Sequence, residues 1–253
     1  MKVTYDDHMG SDLKVVNMAR VSFGKRSTSF TKEDASLIAF LARGCTSGDW
    51  DKLVYQVQAE GVYGPDELTE FRSLLNHIKK MPSHWAPFSH CHTTLHMKVP
   101  IFIARQIHKH QVGFEVSEVS RRYVSDTPEF YGPEVWRKAP EGSVKQGSSD
   151  ESVDVAYYDR DDGYNDWPTE ATSIALEAYQ EMLKLGVCPE QARMVLPQSM
   201  YTEFYMTGSL NGWARMYNQR SDSHAQKEIQ EVAKQINDIM GPLFPVSWKA
   251  LTT

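Results

Sequence analysis

The densest concentration of chemistry-bearing side chains is Arg105–Tyr123, RQIHKHQVGFEVSEVSRRY. It holds Arg105, His108, Lys109, His110, Arg121 and Arg122, with Glu118 and Ser120 beside the last pair. Cations able to meet a phosphate thus stand near a carboxylate and a hydroxyl able to read a pyrimidine edge. The same spacing also reads as a salt-bridged helix face, Glu118 to Arg122 at i,i+4. A second concentration, Ala192–Gln230, carries Arg193 inside an apolar run, where a guanidinium is costly unless it finds an anion or acceptors. It also carries Arg220, just ahead of a helix predicted at Ser223–Met240, where a cation does not help the macrodipole. A bound ligand would explain that placement, and so would a loop arginine in water.

A third feature is the histidine series His84, His90, His92, His96, His108 and His110. His-x-His on one strand face is a real metal-ligand spacing, so a metal-dependent hydrolase or metal-binding module stands as an alternative function. No HExxH or Asp-rich partner motif accompanies the series, and no metal is assigned. Cys91 lies between two histidines but shares its strand parity with Leu95 and Met97, which points to packing rather than nucleophilic attack. The sequence holds no GxGxxG, Walker or GxSxG motif, so a dinucleotide would not be held by a Rossmann turn.

The elements that must position these residues come from patterning. The 253 residues are 41% hydrophobic and 24% charged, which excludes wholesale disorder, collagen and coiled coil as whole-chain readings. A net charge of −6 argues against nucleic-acid binding through overall charge, so an anionic ligand needs a local basic cluster. Cys45, Cys91 and Cys188 are too few and scattered for a disulfide framework and read as reduced thiols of a cytoplasmic protein. The first residues, MKVTYDDHMG, carry acids where a signal peptide would be basic and then apolar. No apolar run approaches the roughly 20 residues that span a bilayer, so no membrane is expected.

Thr31, Glu33 and Asp34 precede a stripe of Leu37, Ile38, Phe40 and Leu41 ending at Gly44, which predicts a capped helix. Spacing predicts further helices over Asp66–Met81, Glu170–Leu185 and Ser223–Met240, the last stopped by Gly241 and Pro242. Cys91–Val99 reads as a strand, with Cys91, Leu95, Met97 and Val99 on one face and His92, Thr94, His96 and Lys98 on the other. Pro100 stops that strand or opens a helix through IFIARQIHKH. An acidic loop or insertion is expected at about 134–168, since Asp150–Asp166 alone holds seven acids and one base. Without a βαβ rhythm, the expected fold is a single α+β domain, a mixed or antiparallel sheet flanked by helices.

With those residues in view, the chain resembles the flavin-dependent thymidylate synthases. NMARVSFGK (Asn17–Lys25) is similar to that family's early segment, and HWAPFSH (His84–His90) to its His-x-Ser-x-x-Glu-His element. FIARQIHKHQ followed by EVSRRY resembles its signature, an Arg-His-Arg triplet followed after seven residues by a serine. ARMVLPQSMYT and NQRSDSHAQKEIQ resemble its C-terminal segments. The resemblance implies a non-Rossmann α+β homotetramer with active sites shared between subunits. It implies FAD, reduced by NADPH, and transfer of the methylene of methylenetetrahydrofolate to C5 of dUMP, with no protein nucleophile. Small-molecule nucleotide and folate partners are implied, and no nucleic acid.

Carried over by position, Arg220 is the catalytic candidate at the uracil, with Gln106, Lys109, Glu118, Ser120, Arg122 and Arg193 as further dUMP contacts. Ser22, His84, Lys109, His110, Gln111, Ser209, Asn211 and Arg215 fall at FAD positions. The departures are specific. Lys109 and Gln111 replace both arginines of the triplet, and eight residues separate Gln111 from Ser120. Ala86 and Ser89 replace the serine and glutamate of the earlier element. Ser209 and Asn211 stand where Asn and Arg are usual, and Arg215 where Asn or His is often found. Altered flavin contacts leave open a related one-carbon product, such as a hydroxymethylated pyrimidine.

Overall fold

Alternation of apolar and polar residues builds the strand at the centre of the protein. In the computed structural model, which describes residues 1–43, 84–140, 149, 151–159 and 163–252, β2 spans His92–Pro100. Leu95, Met97 and Val99 are fully buried, while His92, Thr94, His96 and Lys98 lie half-exposed on the opposite face, as the parity requires. It pairs antiparallel with β1 (Lys2–Met9) and with β6 (Tyr201–Ser209), and β6 pairs with β3 (Phe114–Glu118). Among the described residues this gives a four-stranded antiparallel sheet in the order β1-β2-β6-β3. The fold is α+β.

Helices close the apolar face. α1 (Asp12–Arg20) begins at Ser11, and α2 (Lys32–Ala42) begins at Thr31 with a reciprocal capping box formed with Asp34. Pro100 caps α3 (Ile101–Ile107), which buries Ile103 and Ile107. β6 runs directly into α6 (Leu210–Arg220), whose Trp213 is fully buried and donates through its indole N–H to the Thr93 carbonyl at 3.0 Å. α7 (Lys227–Leu243) buries Ile229, Val232, Ile236 and Met240. α8 (Pro245–Thr252) follows at once. Asp12 accepts from the Val246 and Ser247 N–H groups at 2.9 Å each, tying the C-terminal helix to α1.

The structure corrects several expectations. The helix predicted from Ser223 starts at Lys227, after a turn, and passes through Pro242 to Leu243; Gly241 and Pro242 do not stop it. The helix predicted from Glu170 is α4, Trp167–Lys184, capped by Asp166. Only Tyr179 of its stripe is buried, and Ile174 is exposed, so this helix lies outside the main core. The acidic stretch is not wholly loop: β4 (Ala156–Asp159) and β5 (Gly163–Asp166) pair as a two-stranded hairpin leading into α4. α5 (Pro189–Ala192) and a 3-10 turn at Arg193–Val195 then lead to β6. The predicted helix Asp66–Met81, together with Gly44 and Cys45, lies outside the described residues.

Candidate functional site

Two groups of predicted site residues form, separated by the length of β3. The first sits where α3 ends and α6 ends. Arg220 is the last residue of α6, so its charge complements the carbonyl end of that helix and does not oppose the next one, as the predicted boundary implied. Its Nε donates to His110 Nε2 at 3.0 Å and its Nη2 to the Gln106 carbonyl at 3.0 Å. These two donors share one edge of the guanidinium. The other edge, Nη1 with the second Nη2 proton, has no partner among the described residues.

Burial lowers the pKa of Arg220 from its ordinary value. Burial also pushes His110 down to about 4, helped by the charges of Arg220 and Arg215, so the ring is neutral at neutral pH. The Gln106 side chain donates to Gln226 Oε1 at 2.7 Å. Lys109 and Gln111 are exposed, and their side chains make no hydrogen bond or ion pair among the described residues; the Gln111 carbonyl accepts from the Phe114 N–H at 3.2 Å. Gly113, at φ +82°, then turns the chain into β3; a Cβ there would lie 2.8 Å from Ser209 Oγ.

Ser209 itself caps α6, accepting from the Gly212 N–H at 3.1 Å. It and Asn211 are buried in the first turn of that helix, a packing position, while Arg215 is exposed farther along.

The second group lines a cleft of about 650 Å³ beyond the other end of β3. Glu118, Ser120 and Arg193 line it together, with Lys98, Arg121, Tyr201 and Thr202. Glu118 accepts from the Thr202 hydroxyl at 2.6 Å. Lys98 is held by Glu129 at 2.6 Å and Glu203 at 3.4 Å, and the Glu129 bond raises its pKa. Arg121 is held by Asp126 at 3.2 Å. Arg193 has only the Glu190 carbonyl, at 3.3 Å from its Nε, and no carboxylate among the described residues. The helix reading of Glu118 and Arg122 fails. Glu118 ends a strand, and Arg122 pairs with Glu190 at 3.0 Å instead of lining the cleft.

None of Gln106, His110 and Arg220 lines this cleft. His110 precedes β3 and Ser120 follows it, with about 17 Å of extended chain between them. Thr202, Lys98 and Tyr201 were missed from sequence because they belong to the neighbouring strands. The signal was there only in parity: Thr202 alternates with Phe204 and Met206 on the buried face.

Ser22 and His84 make no hydrogen bond or ion pair with either group among the described residues. Ser22 is exposed in the 3-10 turn Val21–Phe23, and His84 stacks on Phe40 at 5.7 Å. The early segment is a clamp. Asn17 and Ser27 exchange two hydrogen bonds, at 2.7 and 3.0 Å, and Arg20 bonds both Ser27 Oγ and the fully buried Asp34, the latter at 2.6 Å.

The histidines do not converge. His96 stacks on Tyr205, His108 meets the edge of Phe204, and His110 serves Arg220. Among the described residues no three His, Cys, Asp or Glu side chains could hold a metal ion together, so nothing in the geometry favours the histidine-cluster alternative. Nor is any described helix long and apolar enough to cross a membrane.

Comparison with known proteins bears directly on this geometry. The family model described as thymidylate synthase complementing protein matches residues 6–246. A flavin-dependent thymidylate synthase of Kosmotoga olearia is 31% identical over 246 residues, spanning 96% of this chain and 86% of that one. One from Thermosipho africanus is 31% identical over 245 residues, 96% and 87% of the two chains. Among solved structures, a UMP/dUMP methylase from Streptomyces cacaoi bound with 5-Br dUMP superposes with a TM-score of 0.70. It is 26% identical, covering 99% of this chain and 94% of that one. An α+β fold without a Rossmann turn, arginines with no carboxylate partner among the described residues at two places in an acidic chain, and a match running almost end to end agree: the chain belongs to the flavin-dependent thymidylate synthases, a family of nucleotide methyltransferases.

Proposed function

We propose that this protein converts dUMP to dTMP, taking the one-carbon unit from methylenetetrahydrofolate and the hydride from FAD reduced by NADPH. The observation that carries the reading is the half-anchored guanidinium of Arg220. Two bonds fix its plane, and the remaining edge is a planar pair of donors matched to a pyrimidine carbonyl and its neighbouring N3. Positive charge there favours the N3-deprotonated, electron-rich pyrimidine, which makes C5 nucleophilic without a covalent adduct to the protein. The Cys91 thiol supports this. Cys91 is fully buried, donates weakly to the Ser11 carbonyl at 3.7 Å, and burial pushes its pKa up to about 11, so it is no ready nucleophile.

The residues around His110 suit an anionic flavin cofactor. Lys109, Arg215 and Arg220 have no carboxylate partner among the described residues, although the chain carries a net charge of −6. A pyrophosphate would meet uncompensated charge there. Lys109, exposed and without a carboxylate partner among the described residues, can serve the phosphate of either ligand. Bound and reduced, the flavin supplies the hydride; the chain's own part is to hold the pyrimidine flat and exclude water. Glu118, braced by Thr202, and Ser120 read one end of the nucleotide, and Arg193 takes its phosphate. Because the two groups stand at opposite ends of β3, one copy's Arg220 group works with another copy's Glu118 group. This is the reading in which a homotetramer shares its sites.

The test is a single incubation of the purified protein with dUMP, methylenetetrahydrofolate and NADPH, with mass analysis of the nucleotide. A methylated product is expected, and a hydroxymethylated or unchanged one refutes the assignment. A parallel tube with UMP measures the ribose preference, since the Streptomyces neighbour is described as acting on both.

A further inference from the structure

We propose that His110 is a positioning residue: its unprotonated Nε2 accepts from Arg220 Nε and, together with the Gln106 carbonyl, fixes the plane in which the guanidinium meets the pyrimidine. The inference rests on the reading that Arg220 contacts the uracil. It adds a tautomer, and therefore a polarity, to the site.

The geometry is restrictive. A guanidinium has donors only, so the atom 3.0 Å from Arg220 Nε must be an acceptor. An imidazolium has no acceptor, and an Nε2–H tautomer would place two protons between the same atoms. The neutral Nδ1–H form alone satisfies the contact. The charged groups acting on the ring are Arg220 and Arg215, both from α6, and no carboxylate bonds it among the described residues. Its half-buried setting and those two cations hold the proton off well below neutral pH. With Nε2 engaged, what the ring offers a cofactor is a donor at Nδ1. That matches a flavin carbonyl or a phosphate oxygen and rejects an N–H. Arg220 has a second anchor that needs no side chain, the Gln106 carbonyl at 3.0 Å, and Gln106 is itself tied to Gln226. Losing His110 therefore frees the guanidinium to swing without detaching it.

The direct test is nitrogen-detected NMR of the full-length protein labelled at histidine, with the His110 signals identified by their loss in His110→Gln. From pH 7 to pH 5 the ring should show an unprotonated Nε2 and a protonated Nδ1. An Nε2–H tautomer, or an imidazolium at pH 6, overturns the proposal. The functional test compares two replacements. His110→Gln keeps an acceptor at the position of Nε2 while losing the Nδ1 donor, as His110→Phe also does, and should retain about tenfold more kcat/KM for dUMP than the Phe variant. His110→Phe keeps the ring but not the acceptor and should lose about tenfold to a hundredfold. A packing role predicts the reverse ranking, which would refute positioning. Should Arg220→Ala turn over like the unaltered protein, the uracil reading fails, while the tautomer result still decides the His110–Arg220 contact.

Discussion

Arg220→Lys separates charge from shape at the proposed uracil contact. Arginine here uses one edge for its two anchors, at 3.0 Å each, and leaves a second edge of two donors for the ligand. A lysine ammonium keeps the charge, but its donors radiate from one atom on a shorter reach and cannot serve both edges. Two hydrogen bonds from a charged donor are lost in the transition state, at about 1.5–3 kcal/mol each. Because Arg220 is only half-buried in the isolated chain, water replaces part of that loss, so we take the lower half of the range, about 3–4.5 kcal/mol. At about 1.4 kcal/mol per tenfold, kcat/KM for dUMP should fall roughly 10²–10³-fold. Arg220→Ala should abolish measurable turnover. Stability should move by about 1 kcal/mol or less, since water reaches the freed Gln106 carbonyl and His110 ring. Steady-state kinetics with mass detection, thermal unfolding and flavin absorbance on the same preparations make the measurement. A lysine variant with unaltered kcat/KM, folded and yellow, would show that the fork does not read the pyrimidine.

Three further outcomes test the scaffold. Asp34→Asn should cost about 3 kcal/mol, because the buried carboxylate that holds Arg20 at 2.6 Å disappears and leaves a guanidinium against it; urea midpoints measure this, and limited proteolysis between Ser22 and Phe30 should accelerate. Glu228 is buried and destabilised by that burial, yet two Arg137 bonds at 2.7 and 2.8 Å bring its pKa below the usual carboxylate value. A lowered folded pKa adds stability above the unfolded value of about 4.3 that is lost as pH falls through the folded one, so Glu228→Gln should flatten the unfolding midpoint's pH dependence below about pH 4.3, and an unchanged slope would refute the pair's role. Gly208→Ala would bring a Cβ to 2.2 Å from Phe114 and 2.9 Å from Trp213 Nε1, so a loss of at least about 2 kcal/mol is expected, and a neutral urea midpoint would show that β3 is free to shift.

How much of this was legible follows from what each element reveals locally. β2 was readable because its buried face is Leu95, Met97 and Val99 against His96 and Lys98, a full contrast of period two. β6 was not, since Thr202 and Gly208 sit on its buried face and Tyr205 on the exposed one, which blurs the same alternation. α6 was missed because its first turn holds Asn211 and Gly212, poor helix formers that are buried for packing: a Cβ on Gly212 would stand 3.1 Å from Phe114. That omission had a chemical consequence. With α6 absent, Arg220 looked misplaced before a helix, whereas it closes one. The family motifs singled out Glu118, Ser120, Arg193, His110 and Arg220 in sequence. No local pattern could show that they fall into two groups, because that depends on β3 lying between them. Arg122 stands outside the cleft for the mirror reason: its neighbour Arg121 faces the cleft, and a one-residue change of direction at a strand end is decided by pairing with Asp126 and Glu190.

The two groups share an electrostatic rule that explains how so acidic a chain receives anions. Near the cleft, Lys98, Arg121 and Arg122 are each neutralised by a carboxylate within 3.2 Å. Such pairs add little stability at the surface, but they remove three cations from competition for the ligand and fix the walls. Among the described residues of the two groups, the cations left without a carboxylate are Arg193 at the cleft and, in the other group, Lys109, Arg215 and Arg220; Arg193 and Arg220 are the two arginines proposed to meet the nucleotide. Their settings differ. Arg193 is exposed, so in its proposed role it would meet an incoming phosphate in water, where attraction is long-ranged and screened by salt. Arg220 is half-buried, held by neutral acceptors, and acts at contact distance, where the effective dielectric is lower and the same charge counts for more. Using a neutral histidine and a backbone carbonyl to aim it is what preserves that charge. A carboxylate in the place of His110 would orient the guanidinium as well and cancel its effect on the pyrimidine. The choice of uncharged anchors at Arg220, beside charged ones at Lys98 and Arg121, separates the arginine proposed to act on the pyrimidine from the cations that shape the walls.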